Sequence, residues 1–216
     1  MRLRFDEQLT ELKKEMILLG SLCENAIALA TRSLVEHQTE LTAEVPGLSE
    51  RIERKERNIE ELCLKLLLRQ HPVARDLRTI SSALKMVTDM ERIGHQSADI
   101  AEIVSVGSIP AGEDLSTLHA MASAAIGMVT DSIDAFVKED ADLARSVIVK
   151  DDAVDAYFDS IKNSLIRRLS EGTTDGSAAL DLLMIVKYLE RIGDHAVNIA
   201  QWVIYSITGE LESERL

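Results

Sequence analysis

The chain has 216 residues, with 24 Lys and Arg against 37 Asp and Glu, a formal net charge of −13. That balance repels phosphate backbones and argues against nucleic acid as a partner, and equally against docking on anionic lipid by bulk charge. Aromatic residues make up 3% and there are three prolines, which is a helical composition and a poor one for a sandwich or barrel.

No uninterrupted apolar run reaches the ~18 residues of a membrane span. The opening Met1-Arg-Leu-Arg-Phe-Asp6 has no apolar stretch leading to a small-residue cleavage site, so no signal peptide is expected. The protein is expected to be soluble and cytoplasmic. Cys23 and Cys63 make no disulfide framework and are expected to be buried thiols.

Residues 5–43 carry Leu9, Leu12, Met16, Leu19, Cys23, Ala26, Ala30 and Leu34 at steps of three and four, which predicts one amphipathic helix. Pro46-Gly47 and His71-Pro72 break the pattern, and helices over 49–70 and 75–105 follow. After the Gly107–Gly112 stretch the order recurs. A long helix starts near 114, another covers about 151–171, and a third about 178–208, with Gly172–Gly176 between the last two.

The recurrence is visible residue by residue. Val87-Thr-Asp-Met-Glu91-Arg92-Ile93-Gly94 returns 99 residues later as Val186-Lys-Tyr-Leu-Glu190-Arg191-Ile192-Gly193, and Ile100-Ala101 as Ile199-Ala200. The chain therefore reads as two units, 1–108 and 109–216, each three helices long. The predicted fold is all-α: two tandem pseudo-symmetric three-helix bundles, side by side, with antiparallel neighbours.

The third helix of each unit carries the chemistry. Leu77, Ile80, Leu84, Val87, Glu91, Gly94 and Ala98 alternate steps of three and four, a heptad seam with a carboxylate on it. Glu190 holds the same place among Leu183, Val186, Gly193 and Val197. A second apolar row (Met86, Met90, Ile93, Ile100, Val104, and its repeat) marks a central helix that meets the other unit or a partner. A buried carboxylate needs a partner or a proton. Glu190 with Asp194, and Glu91 with His95, are i,i+4 pairs that can aim at one point. Asp151, Asp155 and Asp159 repeat at steps of four on the preceding helix.

Two such helices facing each other would close a carboxylate-rich metal site. Oxygen donors without thiolate suit magnesium, calcium, manganese or iron, and His95 also admits zinc or nickel. Among 37 acids such pairs also arise by chance on a solvated face, and Arg92 or Arg191 of a neighbouring helix would serve instead as an ion-pair partner. His37, His71 and His119 lack ligand spacing and read as surface or loop residues. His195 reads as a surface or interface residue, Trp202 and Tyr205 as packing, and Arg75, Arg78 and Lys85 as solvated charge. There is no Gly-x-Ser-x-Gly, no phosphate-cradling glycine loop and no Cys-His signature, which leans against an enzyme.

These features together resemble the PhoU family of bacterial phosphate-transport regulators. The resemblance rests on the paired Glu-Arg-Ile-Gly segments, His71-Pro-Val-Ala-Arg-Asp-Leu-Arg78, Asp151-Asp-Ala-Val-Asp155, Leu189-Glu-Arg-Ile-Gly-Asp-His-Ala-Val-Asn-Ile-Ala200, and the opening Phe5-Asp6 with Leu9 and Leu12. It implies a non-enzymatic negative regulator of phosphate uptake and of the phosphate-starvation response. Such a protein would link the phosphate ABC transporter to its sensor histidine kinase and repress signalling when phosphate is plentiful. The implied partners are the transporter's ATPase subunit, the kinase and a second copy of the chain, with membrane contact only through partners.

The resemblance further implies metal ions on Glu/Asp-x-x-x-Asp motifs, with iron, zinc, nickel, manganese, magnesium and calcium all open. In the second unit that motif falls on Asp151 with Asp155 and on Glu190 with Asp194. In the first, Glu91 is followed by His95, while Ser49 and Glu53 align with Asp151 and Asp155. Pro46-Gly47 interrupts a stretch usually helical in the family. The first site is thus expected to be weakened, altered or lost. The rival readings are an accessory regulator of a different phosphate carrier, and a carboxylate-bridged metal oxidoreductase. The latter needs Glu-x-x-His, and the spacing Glu91-x-x-x-His95 disfavours it.

Overall fold

A computed structural model describes residues 2–36, 38–70, 72, 74–107 and 114–210. It contains six α-helices: α1 (Arg2–Val35), α2 (Val45–Gln70), α3 (Arg75–Val106), α4 (Asp114–Lys138), α5 (Ala141–Ser170) and α6 (Gly176–Thr208). A short 3₁₀ segment, Thr39–Glu44, joins α1 to α2. No strand occurs among the described residues. The expected boundary at 108/109, and His37 and His71, lie outside them.

Three helix limits differ from the sequence reading. α1 stops at Val35 rather than 43, because the apolar spacing ends at Leu34 and polar residues follow. There the Thr42 hydroxyl donates to the Thr39 carbonyl at 2.7 Å, a local bond that favours a tight turn. Pro46-Gly47 does not interrupt a helix but sits in the first turn of α2, where a missing N–H costs nothing. α5 begins ten residues before the expected 151. Asp140 caps it, its carboxylate accepting from the Asp142 and Leu143 amides at 3.0 and 2.9 Å.

α1, α3, α4 and α6 surround one continuous core, with α2 packed on α1 and α3, and α5 packed on α4 and α6. α3 and α6 meet across the two halves, as their double apolar rows require. They run antiparallel, since Asp89 meets His195, and Gly209 past the end of α6 lies against the Arg78 guanidinium at the start of α3. The repeat is visible in packing as well as in letters. Ile52 fills the space over Gly94, and Val154, its counterpart, does the same over Gly193. Leu77, placed on the seam by spacing, is 45% exposed because it lies in the first turn of α3, at the bundle's end.

Polar groups occur on the α3/α6 contact, where the two halves meet. Gln96 and His195 occupy equivalent positions and face each other at 3.5 Å. The other His195 ring nitrogen lies 2.9 Å from the Asp89 carboxylate, which also accepts from the Asn198 amide at 3.4 Å. Both Asp89 and His195 are buried.

Stretches of α1 and α4 are apolar enough by windowed hydropathy to cross a membrane, though neither is an unbroken apolar run. About half of each stretch is buried inside the fold, so the core accounts for that apolarity. Cys23 and Cys63 are buried free thiols. Burial pushes both up, Cys63 to about 12, which keeps them protonated.

Close approach of α2 to α3 depends on Gly94. A Cβ there would stand 2.9 Å from Ile52 Cδ1 and 3.1 Å from Cγ2, whereas one at Gly127 of α4 meets nothing within 4 Å. Gly94→Ala is therefore expected to lower stability by about 1–2 kcal/mol, overpacking outweighing the helix-propensity gain. Gly127→Ala should raise it by about 0.5–1 kcal/mol. Urea unfolding of the two variants beside the parent chain checks both signs.

Candidate metal centres

The groove between α5 and α6 brings together the four candidate carboxylates of the second unit. Asp151 and Asp155 lie one turn apart on α5, and Glu190 and Asp194 one turn apart on α6. Gly193 makes the room. A Cβ at that position would stand 3.1 Å from Asp151 Oδ1, so any larger residue would press on the carboxylate.

The electrostatics of this groove are those of crowded like charges. Burial, then Asp155, Asp194 and Glu190, push Asp151 up to about 6. Asp155 is raised by burial and by Glu190, and Asp194 by burial and by Glu190. Asp151 Oδ1 is buried without a hydrogen-bond partner, as is Glu190 Oε2. Lys187, one turn before Glu190 on α6, makes an ion pair with that oxygen without hydrogen-bond alignment. This is the countercharge the sequence left open. It comes from the same helix rather than from Arg92 or Arg191. Arg92 instead approaches Asp89 at 3.8 Å. Asp159, one turn further along α5, pairs with Lys162.

The first unit differs in kind. Ser49 and Glu53 of α2 take the places of Asp151 and Asp155. His95 Nε2 lies 3.2 Å from Glu53 Oε1, and both groups are partly exposed. The residue that sequence reasoning missed is Glu56, only 8% exposed. Burial, then Glu60 and Glu91, push it up to about 7, and its protonated form is held by a hydrogen bond to Glu60. Glu53, Glu56 and Glu60, at steps of three and four beside the Ile52–Ile59–Cys63 stripe, carried the signal. The other unit does not repeat it, since the counterparts of Glu56 and Glu60 are Phe158 and Lys162.

Two acid-rich grooves are thus placed at equivalent positions. The unpartnered Asp151 Oδ1 and the crowded, all-oxygen donor set suit a hard divalent cation. His95 would broaden the first groove toward zinc or nickel. No three His, Cys, Asp or Glu side chains among the described residues already converge on one point. Coordination would need the repelling acids to rotate inward. His119 is exposed on α4, apart from both grooves. Trp202 and Tyr205 pack edge to face at 5.8 Å. Arg75 pairs with Glu139, Arg78 lies on Gly209, and Lys85 is exposed.

Comparison with known proteins gives a consistent result. The PhoU domain family model matches residues 16–104 and again 118–203. A phosphate-specific transport system accessory protein PhoU homolog of Pseudomonas putida is 35% identical over 210 residues, covering 95% of this chain and 81% of that protein. The crystal structure of PhoU from Pseudomonas aeruginosa superposes with a TM-score of 0.88 at 34% identity, over 95% of this chain and all of the other. The phosphate transport system regulatory protein PhoU from Streptococcus pneumoniae gives 0.89 at 28% identity, over 97% and 99%.

The raised Asp151 pKa sets a sign for stability against pH. The native state holds this proton more tightly than the unfolded chain, so its contribution is fully present below about pH 4 and is lost as pH rises to about 6. Asp151→Asn should therefore be more stable than the parent at about pH 7.5 and lose that advantage at about pH 3.5. Urea unfolding in the presence of a chelator measures it, and a difference that does not change with pH would contradict the assignment.

Proposed function

The chain belongs to the PhoU family, and on that premise we propose that it is an accessory regulator of phosphate transport that works by contact rather than catalysis. The observation that carries the reading is that the family match recurs in both halves and that relatives named for this role align over 95% of the chain. The finer proposal is that it joins the ATPase subunit of a phosphate ABC transporter to a sensor histidine kinase and represses the starvation response when phosphate is abundant. A cytoplasmic location and a homodimer belong to the same proposal. An acidic protein of net charge −13 suits contact with basic partner surfaces.

The two grooves are the proposed metal sites. Asp151, Asp155, Glu190 and Asp194 would hold a divalent cation between α5 and α6. Glu91 and His95, joined by Glu53 and Glu56, would hold one between α2 and α3. The metal would relieve the carboxylate repulsion and fix the two helices of each groove, presenting a rigid surface to a partner.

The test is genetic. Deleting the gene from its source bacterium and growing the strain in phosphate-rich medium is expected to leave alkaline phosphatase expressed at a high level, and restoring the gene should switch it off. Phosphatase that stays low in the deletion strain would contradict repression and direct attention to a different phosphate carrier.

A further inference from the structure

The two grooves are equivalent in position but not in charge. In the second, the Lys187 ammonium is ion-paired to Glu190 Oε2, the oxygen that otherwise has no hydrogen-bond partner. The same ammonium stands 5.5 Å from the centroid of the Phe158 ring, within cation–π range. Phe158 comes from α5, so Lys187 is held by both walls of the groove. Its charge reaches Asp155 and Asp194 as well, lowering the pKa of each against the rise that burial causes. One side chain thus serves three of the four candidate ligands.

The first groove is arranged differently: its cation, Arg57, comes from α2, pairs with Glu53 at 3.6 Å and is 59% exposed. The position equivalent to Lys187 is Thr88, whose hydroxyl donates back to the Leu84 carbonyl at 3.4 Å. The position equivalent to Phe158 is Glu56, a buried acid. At the two positions where the second half has a cation and a ring to seat it, the first has a hydroxyl and another carboxylate.

We propose that Lys187 is a tethered counter-cation of the α5/α6 groove, seated on Phe158, that a divalent ion must displace from Glu190. This rests on the reading of the grooves as metal sites. The displaced ammonium has an open exit, since Lys187 is 45% exposed while Glu190 is 17% exposed. The second groove is therefore conditional. It closes around metal only when the ion outcompetes a charge the protein already carries, which places its occupancy under the control of free divalent concentration.

The experiment is calorimetric titration of Mn²⁺ into tag-free full-length protein carrying Glu56→Gln and Glu91→Gln, which weaken the first groove and isolate the second. Lys187→Thr, which copies the first half, is expected to tighten the remaining site about tenfold by removing the competitor. Lys187→Arg, which keeps the charge, is expected to bind like the parent. Equal or weaker binding in Lys187→Thr, with the parent still binding, would overturn the tethered-cation role and leave the metal reading intact. No Mn²⁺ uptake by any of the proteins, the unsubstituted chain included, would overturn both.

Discussion

Carboxylate crowding beside a helical glycine is the constraint on which this structure turns. Gly193 lets α5 approach α6 until Asp151 Oδ1 lies 3.1 Å from where a Cβ would be. That approach forces four acids into one groove. Burial and mutual repulsion then hold three of them above the usual carboxylate range. Helix packing, driven by the apolar stripe of Val154, Ile161 and Leu165, supplies the energy that keeps the charges together. A fold that accepts such strain in equivalent grooves of both halves is suited to a cation that relieves it.

The halves are tied through their third helices. Asp89, His195, Gln96 and Asn198 form a buried polar cluster where α3 and α6 cross. Asp89 is two residues from Glu91 and His195 is next to Asp194. A shift of either third helix on binding would therefore meet the same buried contacts. The two grooves differ in content: three Asp and Glu190 with a lysine in one, Glu residues with a histidine and an arginine in the other.

Much of this was legible in the sequence. The 3.6-residue periodicity, the 99-residue recurrence and the two-faced third helix specified the helical bundle, its pseudo-symmetry and the central α3/α6 contact. The Glu-Arg-Ile-Gly repeat located the second groove. Helix ends were less legible, because they are decided by caps such as Asp140 and by local bonds such as Thr42 to Thr39, which leave little periodic trace. Glu56 was missed for a different reason. Its burial depends on which side of α2 the groove closes over, and its counterpart, Phe158, suggested core rather than chemistry. The Lys187–Glu190 pair was present at i,i+3 spacing, yet a sequence does not say which of two neighbouring cations turns inward.

Neutralisation of these grooves by divalent cations, as proposed above, has a thermal signature. Thermal unfolding of tag-free protein, with excess chelator and then with saturating Mn²⁺, tests it most directly. Mn²⁺ is expected to raise the Tm, since an ion that binds only the folded grooves stabilises by mass action; the rise should be lost when Glu91→Gln and Glu190→Gln are combined. Identical Tm values with and without the ion in the parent protein would contradict it.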